Sequence, residues 1–211
     1  MNDARLMPEL PLAAVADPAL YQYGTSEGEP AFREAVAEWI SETGLKVQAS
    51  QVLALAGSQQ GLDFAAKLFI DEGTPMVTEA PTYVAALQVF ELFGADLHTV
   101  PLTAEGPDLG LLEKTLDRHR PRCIYLIPCF QNPSGACYAE ENRAAIAELL
   151  DHYEITLIED EPYRSLAGLA PGLSCREPGF DAPSRAPQTG GRPAYPAPRP
   201  ARRRALAQKR R

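Results

Sequence analysis

No stretch of the chain stays apolar for more than a handful of residues, the run at 12–16 being typical, whereas a membrane span needs roughly 20. A bilayer-crossing helix is therefore not expected. That same run lies between Asp3 and Asp17 with only Arg5 before it, which falls short of the positive lead and apolar length of a secretory leader, so a cytoplasmic location is expected. Cysteine is sparse: Cys123, Cys129, Cys137 and Cys175 form no C-x-x-C pair. His98, His119 and His152 form no H-x-x-x-H pair either, so the spacings of a redox dithiol and of a zinc site are both missing. Packing and surface roles remain for these residues.

With 45% apolar and 23% charged residues, the 211-residue chain has an ordinary globular composition, enough for one sizeable core. The net charge of -8 is unevenly spread. Residues 171–211 hold nine Arg and one Lys against Glu177 and Asp181, a local balance of +8 that leaves -16 for residues 1–170. Eight of the twenty prolines also fall in those last 41 residues, which lack apolar periodicity; the segment 169–211 is expected to be a disordered basic tail. Contact of Arg202, Arg203, Arg204, Arg210 and Arg211 with nucleic acid is the weaker reading of that tail, because no aromatics interleave the charges and no recognition fold accompanies them.

Ahead of the tail, helix-like and strand-like segments alternate, the signature of an α/β fold with a mainly parallel sheet. Pro30 suits a first helical turn, and Phe32, Val36, Trp39 and Ile40 follow at helical spacing until Gly44. Residues 52–56 (VLALA) read as a buried strand running into Gly57-Ser58, with a helix over 59–70. Strands are then expected at 76–78, 96–100, 122–128 (RCIYLIP) and 155–158, and helices at 83–93, 108–116 and 140–153. Five strand-to-helix steps precede the tail. Ligands of such sheets gather beyond the carboxyl ends of the strands, so four ends hold the candidate residues.

At Gly57-Ser58-Gln59-Gln60 a glycine permits close backbone approach and a helix N-terminus offers free N–H groups, a phosphate cup in principle, although a Ser before a helix is usually only an N-cap and the local residues favour that reading of Ser58. Glu79-Ala80-Pro81-Thr82-Tyr83 puts an aromatic ring at a helix start, able to stack on a flat ligand or simply to cover the sheet. Gln131-Asn132-Pro133-Ser134-Gly135 is an N-P turn compatible with a cis bond, whose Asn132 amide can donate to a ring oxygen. Glu159-Asp160-Glu161-Pro162-Tyr163 follows a buried strand, so at least one of its acids points inward and needs a cationic partner unless the whole loop is solvated.

In this order and spacing GSQQ, EAPTY, QNPSG and EDEPY resemble the class I/II, fold-type I pyridoxal-phosphate aminotransferases, from Tyr21-Gln22-Tyr23-Gly24 with Gly28 and Arg33 through Tyr163. The wording is most similar to the 2-aminoadipate, kynurenine and aromatic aminotransferase subgroup. Effector domains of winged-helix regulators share much of the pattern, but no DNA-binding segment is read ahead of it. The resemblance implies a three-layer large domain over 21–168, preceded by a remnant arm at 1–20. It implies pyridoxal 5'-phosphate as cofactor, with an amino acid and a 2-oxo acid as substrates. Ser58 and Gln59 would then bind the phosphate, Tyr83 stack on the pyridine ring, and Asn132 and Tyr163 bond the ring oxygen. Asp160 would pair with the ring nitrogen, Glu161 replaces the subgroup's second aspartate, and Tyr23 matches the tyrosine that reaches across a homodimer.

The lysine that carries the cofactor as a Schiff base is what the pattern lacks. The family places it in an S-x-S-K segment after the D-P-Y turn, and no such segment occurs. Of Lys46, Lys67, Lys114 and Lys209, none follows a strand in the right place, and Lys67 stands four residues after Asp63 as a surface ion pair would. The substrate-binding arginine and the small domain are missing from the reading too, and Leu169-Ala170-Pro171-Gly172-Leu173 comes too soon after Tyr163 to replace the family's similar string. A reading frame lost after Tyr163 would explain the Arg/Pro/Ala/Gly tail. No catalytic residue is assigned, and a truncated, inactive product is expected; a non-catalytic cofactor-binding or dimerisation module is the alternative.

Overall fold

The computed structural model describes residues 22–42 and 44–164. The expected arm at 1–20, the basic tail, Cys175, Lys209 and the 169–173 string lie outside the described residues. Among the described residues no helix is long and apolar enough to cross a membrane.

The first helix, α1 (Pro30–Glu42), starts on its proline and stops before Gly44, whose φ of +94° closes the run. Its apolar stripe is only thinly covered among the described residues: Ala37 is buried, while Phe32 and Trp39 are 54% and 55% exposed. A short 3₁₀ turn (Ala49–Gln51) follows. Residues 52–56 are extended but are not a strand, which corrects the expectation. They have no neighbouring strand among the described residues, and Ala54 N–H instead donates to Glu27 O at 2.9 Å. Gly28, at φ +99°, lies so close under Ala54 that a Cβ there would strike the alanine side chain.

From α2 (Ser58–Phe69) onward the expected alternation holds. It continues as β1 (Pro75–Ala80), α3 (Val84–Leu92), β2 (Asp96–Thr103), the two-residue β3 (Gly106–Pro107), α4 (Leu109–His119), β4 (Cys123–Leu126), α5 (Glu140–Tyr153) and β5 (Thr156–Glu159). Asp108, expected inside α4, is its N-cap: the carboxylate accepts from Leu111 N–H at 2.9 Å, satisfying a donor the helix leaves unpaired.

The strands lie in the order β3-β2-β1-β4-β5, with β1 parallel to β2 and β4, β4 parallel to β5, and only β3 antiparallel. Strand side chains alternate between faces, so consecutive residues feed two cores. Val77, Ile124 and Leu126 pack with Val100 under Leu112 and Leu116 of α4 and Ile146 and Leu150 of α5. Met76, Cys123 and Tyr125 face the other way, against Leu62 and Ala66 of α2 and Ala86 and Phe90 of α3. The result is helix, sheet and helix in three layers. Because the chain goes from β1 outward to β2 and then returns past β1 to β4, its direction of winding reverses between β1 and β4, which opens a crevice at their carboxyl ends.

Candidate functional site

Three turns leave the carboxyl ends of β1, β4 and β5 at this reversal point. Along β4, Tyr125 sits on the α2/α3 face and is fully buried, edge-on to Phe90 with ring centroids 5.4 Å apart. Its hydroxyl donates to Asp160 Oδ2 at 2.8 Å, while Asp160 N–H anchors on Leu126 O at 3.0 Å. Burial, reinforced by the neighbouring Asp160 carboxylate, drives the Tyr125 phenol far above its ordinary value, so it stays protonated and always donates. Tyr83, half-buried against the same core, lies close enough to Tyr125 for a charge on one phenol to be felt by the other. Tyr83 and Asp160 thus share one face and one end of the sheet.

The start of α2 meets them there. Gly57 occupies the N-cap and provides no side-chain cap, which corrects the reading of Ser58 as N-cap: Ser58 is the first residue of the helix, and both it and Gln59 are exposed. The first-turn N–H groups are therefore without a capping side chain. Gln59 Nε2 donates to Ala85 O at 3.4 Å, tying this helix start to the first turn of α3, directly after Tyr83.

Beyond β4, Asn132 is half-buried in a turn whose Asn132–Pro133 bond is cis, as is the Ala80–Pro81 bond in the facing turn. Tyr163, 40% exposed, lies next to the last described residue, Arg164. Tyr23 is fully exposed, and its segment docks beside Ala54 through Glu27 and Gly28, so it does not join Tyr83 and Asp160.

Glu79 was not among the candidates. It is fully buried at the end of β1, and its carboxylate accepts from Gln131 Nε2 at 2.9 Å, Thr82 Oγ1 at 3.2 Å, Ile127 N–H at 3.4 Å and the Tyr138 hydroxyl. Burial, with a smaller push from the Asp160 carboxylate, raises its pKa to about 7 against the opposing pull of Gln131, Ile127 and Thr82. The available signal was an acid closing a strand whose other residues are buried, since such an acid must find donors.

Glu161, which stands where the resemblance has a second aspartate, is ion-paired: Arg164 reaches it at 2.8 Å and Arg143 at 3.4 Å. Although burial works against ionisation, Glu159 and Arg164 hold its carboxyl below the ordinary range. Cys123 and Cys129 are buried thiols, pushed up to about 11 by burial, and so are poor nucleophiles at neutral pH. No group of three or more His, Cys, Asp or Glu residues among the described residues could hold a metal. A recess lined by Leu126, Pro128, Tyr138, Arg143, Ile146 and Leu157 shares no lining residue with the Tyr83 and Asp160 group. Lys67 pairs with Asp63 on the surface of α2, and Lys114 is exposed on α4, across the sheet from Tyr83.

The chain matches the family described as aminotransferase class I and II over residues 4–174. It is 44% identical over 145 residues to the 2-aminoadipate transaminase of Thermus thermophilus, covering 69% of this chain and 35% of that protein. The aromatic-amino-acid aminotransferase 1 of Thermococcus litoralis is 38% identical over 151 residues, covering 69% of this chain and 36% of its own length. Among solved structures, the alpha-aminoadipate aminotransferase of Thermus thermophilus, complexed with N-(5'-phosphopyridoxyl)-L-leucine, is 44% identical and superposes with a TM-score of 0.64 over 68% of this chain and 36% of that one. The chain spans about a third of the length of the curated relatives it matches.

Proposed function

Because this chain belongs to the class I and II aminotransferases, a pyridoxal-phosphate family, we propose that it forms the cofactor-holding part of a transaminase moving an amino group between an amino acid and a 2-oxo acid. The observation that carries this reading is the Asp160 carboxylate: oriented by Tyr125 at 2.8 Å, it lies on the same face and at the same end of the sheet as Tyr83 and has no cationic partner among the described residues. A protonated pyridine nitrogen supplies that partner, and the uncapped start of α2 suits a phosphate, so the residues present fit the group. When bound, the cofactor supplies an electron sink for the pair released at the substrate α-carbon.

The chain's own residues would divide the work. Asp160 keeps the ring nitrogen protonated, and Tyr125 keeps Asp160 in place. Ser58 and Gln59 hold the phosphate at the helix start, Tyr83 stacks on the ring, and Asn132 and Tyr163 bond the ring oxygen. Tyr23, exposed and apart from the rest, suits a homodimer in which it reaches the partner's phosphate. Lys67 is paired elsewhere and Lys114 lies across the sheet, which favours non-covalent holding of the cofactor by these residues.

Titrating pyridoxal phosphate into the full chain, followed by its absorption band, should give saturable binding that borohydride does not render permanent. Asp160→Asn should weaken binding tenfold or more, and Tyr125→Phe should weaken it less, since the carboxylate remains but loses its orienting donor. A chain that does not saturate, or an Asp160→Asn variant that binds as the parent does, overturns the proposal.

A further inference from the structure

Glu79 and its four donors form a knot that the cofactor roles above leave unused. The donors come from three places in the sequence. Thr82 belongs to the turn after β1, Ile127 and Gln131 to the segment after β4, and Tyr138 to the approach to α5. Gln131 is itself fully committed: Nε2 also donates to Pro81 O at 2.6 Å, and Oε1 accepts from Ser134 N–H at 2.8 Å and from the Ser134 hydroxyl. The single Gln131 side chain therefore bonds both turns at once, and Glu79 bonds Gln131.

A buried carboxylate with no cation among the described residues is an expensive way to fill space, because an apolar side chain would avoid its desolvation. What the carboxylate provides is direction. Its two oxygens accept from donors on both sides of the β1/β4 crevice, joining turns that are about fifty residues apart in sequence. Tyr83 follows Thr82 directly, and Asn132 follows Gln131 directly. Two of the four donors, Thr82 and Gln131, are therefore the chain neighbours of the candidate residues Tyr83 and Asn132.

We propose that Glu79 is a positioning residue, a clamp whose carboxylate locks the 79–83 turn to the 131–135 turn and thereby fixes Tyr83 relative to Asn132. This rests on the cofactor reading only for its consequence in binding; the clamp itself is a property of the two turns. Glu79→Gln keeps the shape but presents amide hydrogens to two of the donors, Glu79→Ala removes the clamp, and Tyr138→Phe deletes one bond while keeping the ring in the core.

Amide hydrogen exchange on the full chain tests the clamp directly. In Glu79→Ala the amides of Ala86 and Leu87, which bond Tyr83 O, and those of Gln131, Ser134 and Gly135 should lose protection together, at least tenfold in rate, while those of α4, on the far side of the sheet from the crevice, keep theirs. Should Glu79→Ala fail to fold, Tyr138→Phe should show the same paired loss at smaller amplitude. Pyridoxal phosphate affinity should fall about tenfold in Glu79→Ala and recover in part in Glu79→Gln, whereas a residue that only stabilised the fold would lower the melting temperature without changing affinity. Protection lost in one turn only, or unchanged affinity in a folded variant with both turns loosened, overturns the inference. If the parent chain does not bind the cofactor, the proposed function fails, and paired or unpaired exchange alone decides the clamp.

Discussion

Residues 75–160 and residues 22–57 carry side chains of similar apolar character and bury them very differently. In the first region the alternation of the central strands β1 and β4 finds a helix on both faces: Met76, Val77, Ile124, Tyr125 and Phe90 are all completely buried. In the second, Phe32, Trp39, Leu45 and Leu53 remain exposed, and the extended 52–56 segment has no strand beside it among the described residues. Amphipathic spacing specifies which face would be buried, but burial itself requires a surface to receive that face. A helix can satisfy its backbone alone, so α1 forms regardless; a strand cannot, so 52–56 does not become one.

Substitutions at matched aromatics should break or sharpen this contrast most strongly. Phe90→Ala removes a buried ring that meets Tyr125 edge-on, and it should cost about 3–5 kcal/mol of unfolding free energy in urea titrations. Trp39→Ala, at a site 55% exposed, should cost about 0.5 kcal/mol. Comparable losses at the two positions would mean that the α1 stripe is covered in solution, and the contrast between the regions would vanish.

A second, somewhat smaller effect belongs to the polar end of the well-packed region. The Glu79 carboxyl is raised from 4.5 to about 7 by burial, so between these values the folded chain holds a proton that the unfolded chain has released. Stability from this group is therefore complete below about pH 4.5 and is lost as pH rises through about 7, by about 3 kcal/mol in all. Glu159, likewise raised to about 7 by burial and the neighbouring Glu161, titrates over the same range, so the informative quantity is the difference between the parent chain and Glu79→Gln. That difference should grow with acidification from pH 7.5 to 5, in the parent's favour; a flat difference would mean that Glu79 is ionised throughout, stabilised by its donors.

How much of this was legible beforehand follows the same division. The strand at 123–126 announced itself because both its faces are apolar, and the helices because their spacing matched a surface that exists. Asp160 and Tyr83 were legible because a charged and an aromatic residue break the apolar pattern just beyond strand ends, and the described structure puts them on one face. Glu79 escaped notice inside the same EAPTY string that drew attention to Tyr83, since its partners Gln131 and Tyr138 are 52 and 59 residues away in sequence. Local pattern cannot reveal a bond whose other half lies across a fold. The pairing of Glu161 with Arg143 on α5 was hidden for the same reason, the two being 18 residues apart in sequence.

Lys67 offers the smallest and cleanest comparison between a surface charge and the residues of the crevice. It pairs with Asp63 one helical turn earlier, its ammonium lies 5.6 Å from the centre of the Phe64 ring, and its side chain is 55% exposed. Water screens both interactions, and ordering the long side chain opposes them, so the pair should be worth about 0.5 kcal/mol or less. Lys67→Ala is accordingly expected to leave urea unfolding nearly unchanged and pyridoxal phosphate affinity unchanged within error. A tenfold loss of affinity in this variant, or borohydride fixing the cofactor to Lys67 in the parent chain, would require α2 to turn its outer face toward the crevice. Leu62 and Ala66, buried on the opposite side of the same helix, would then have to leave the core, and the unfolding free energy would register that rearrangement.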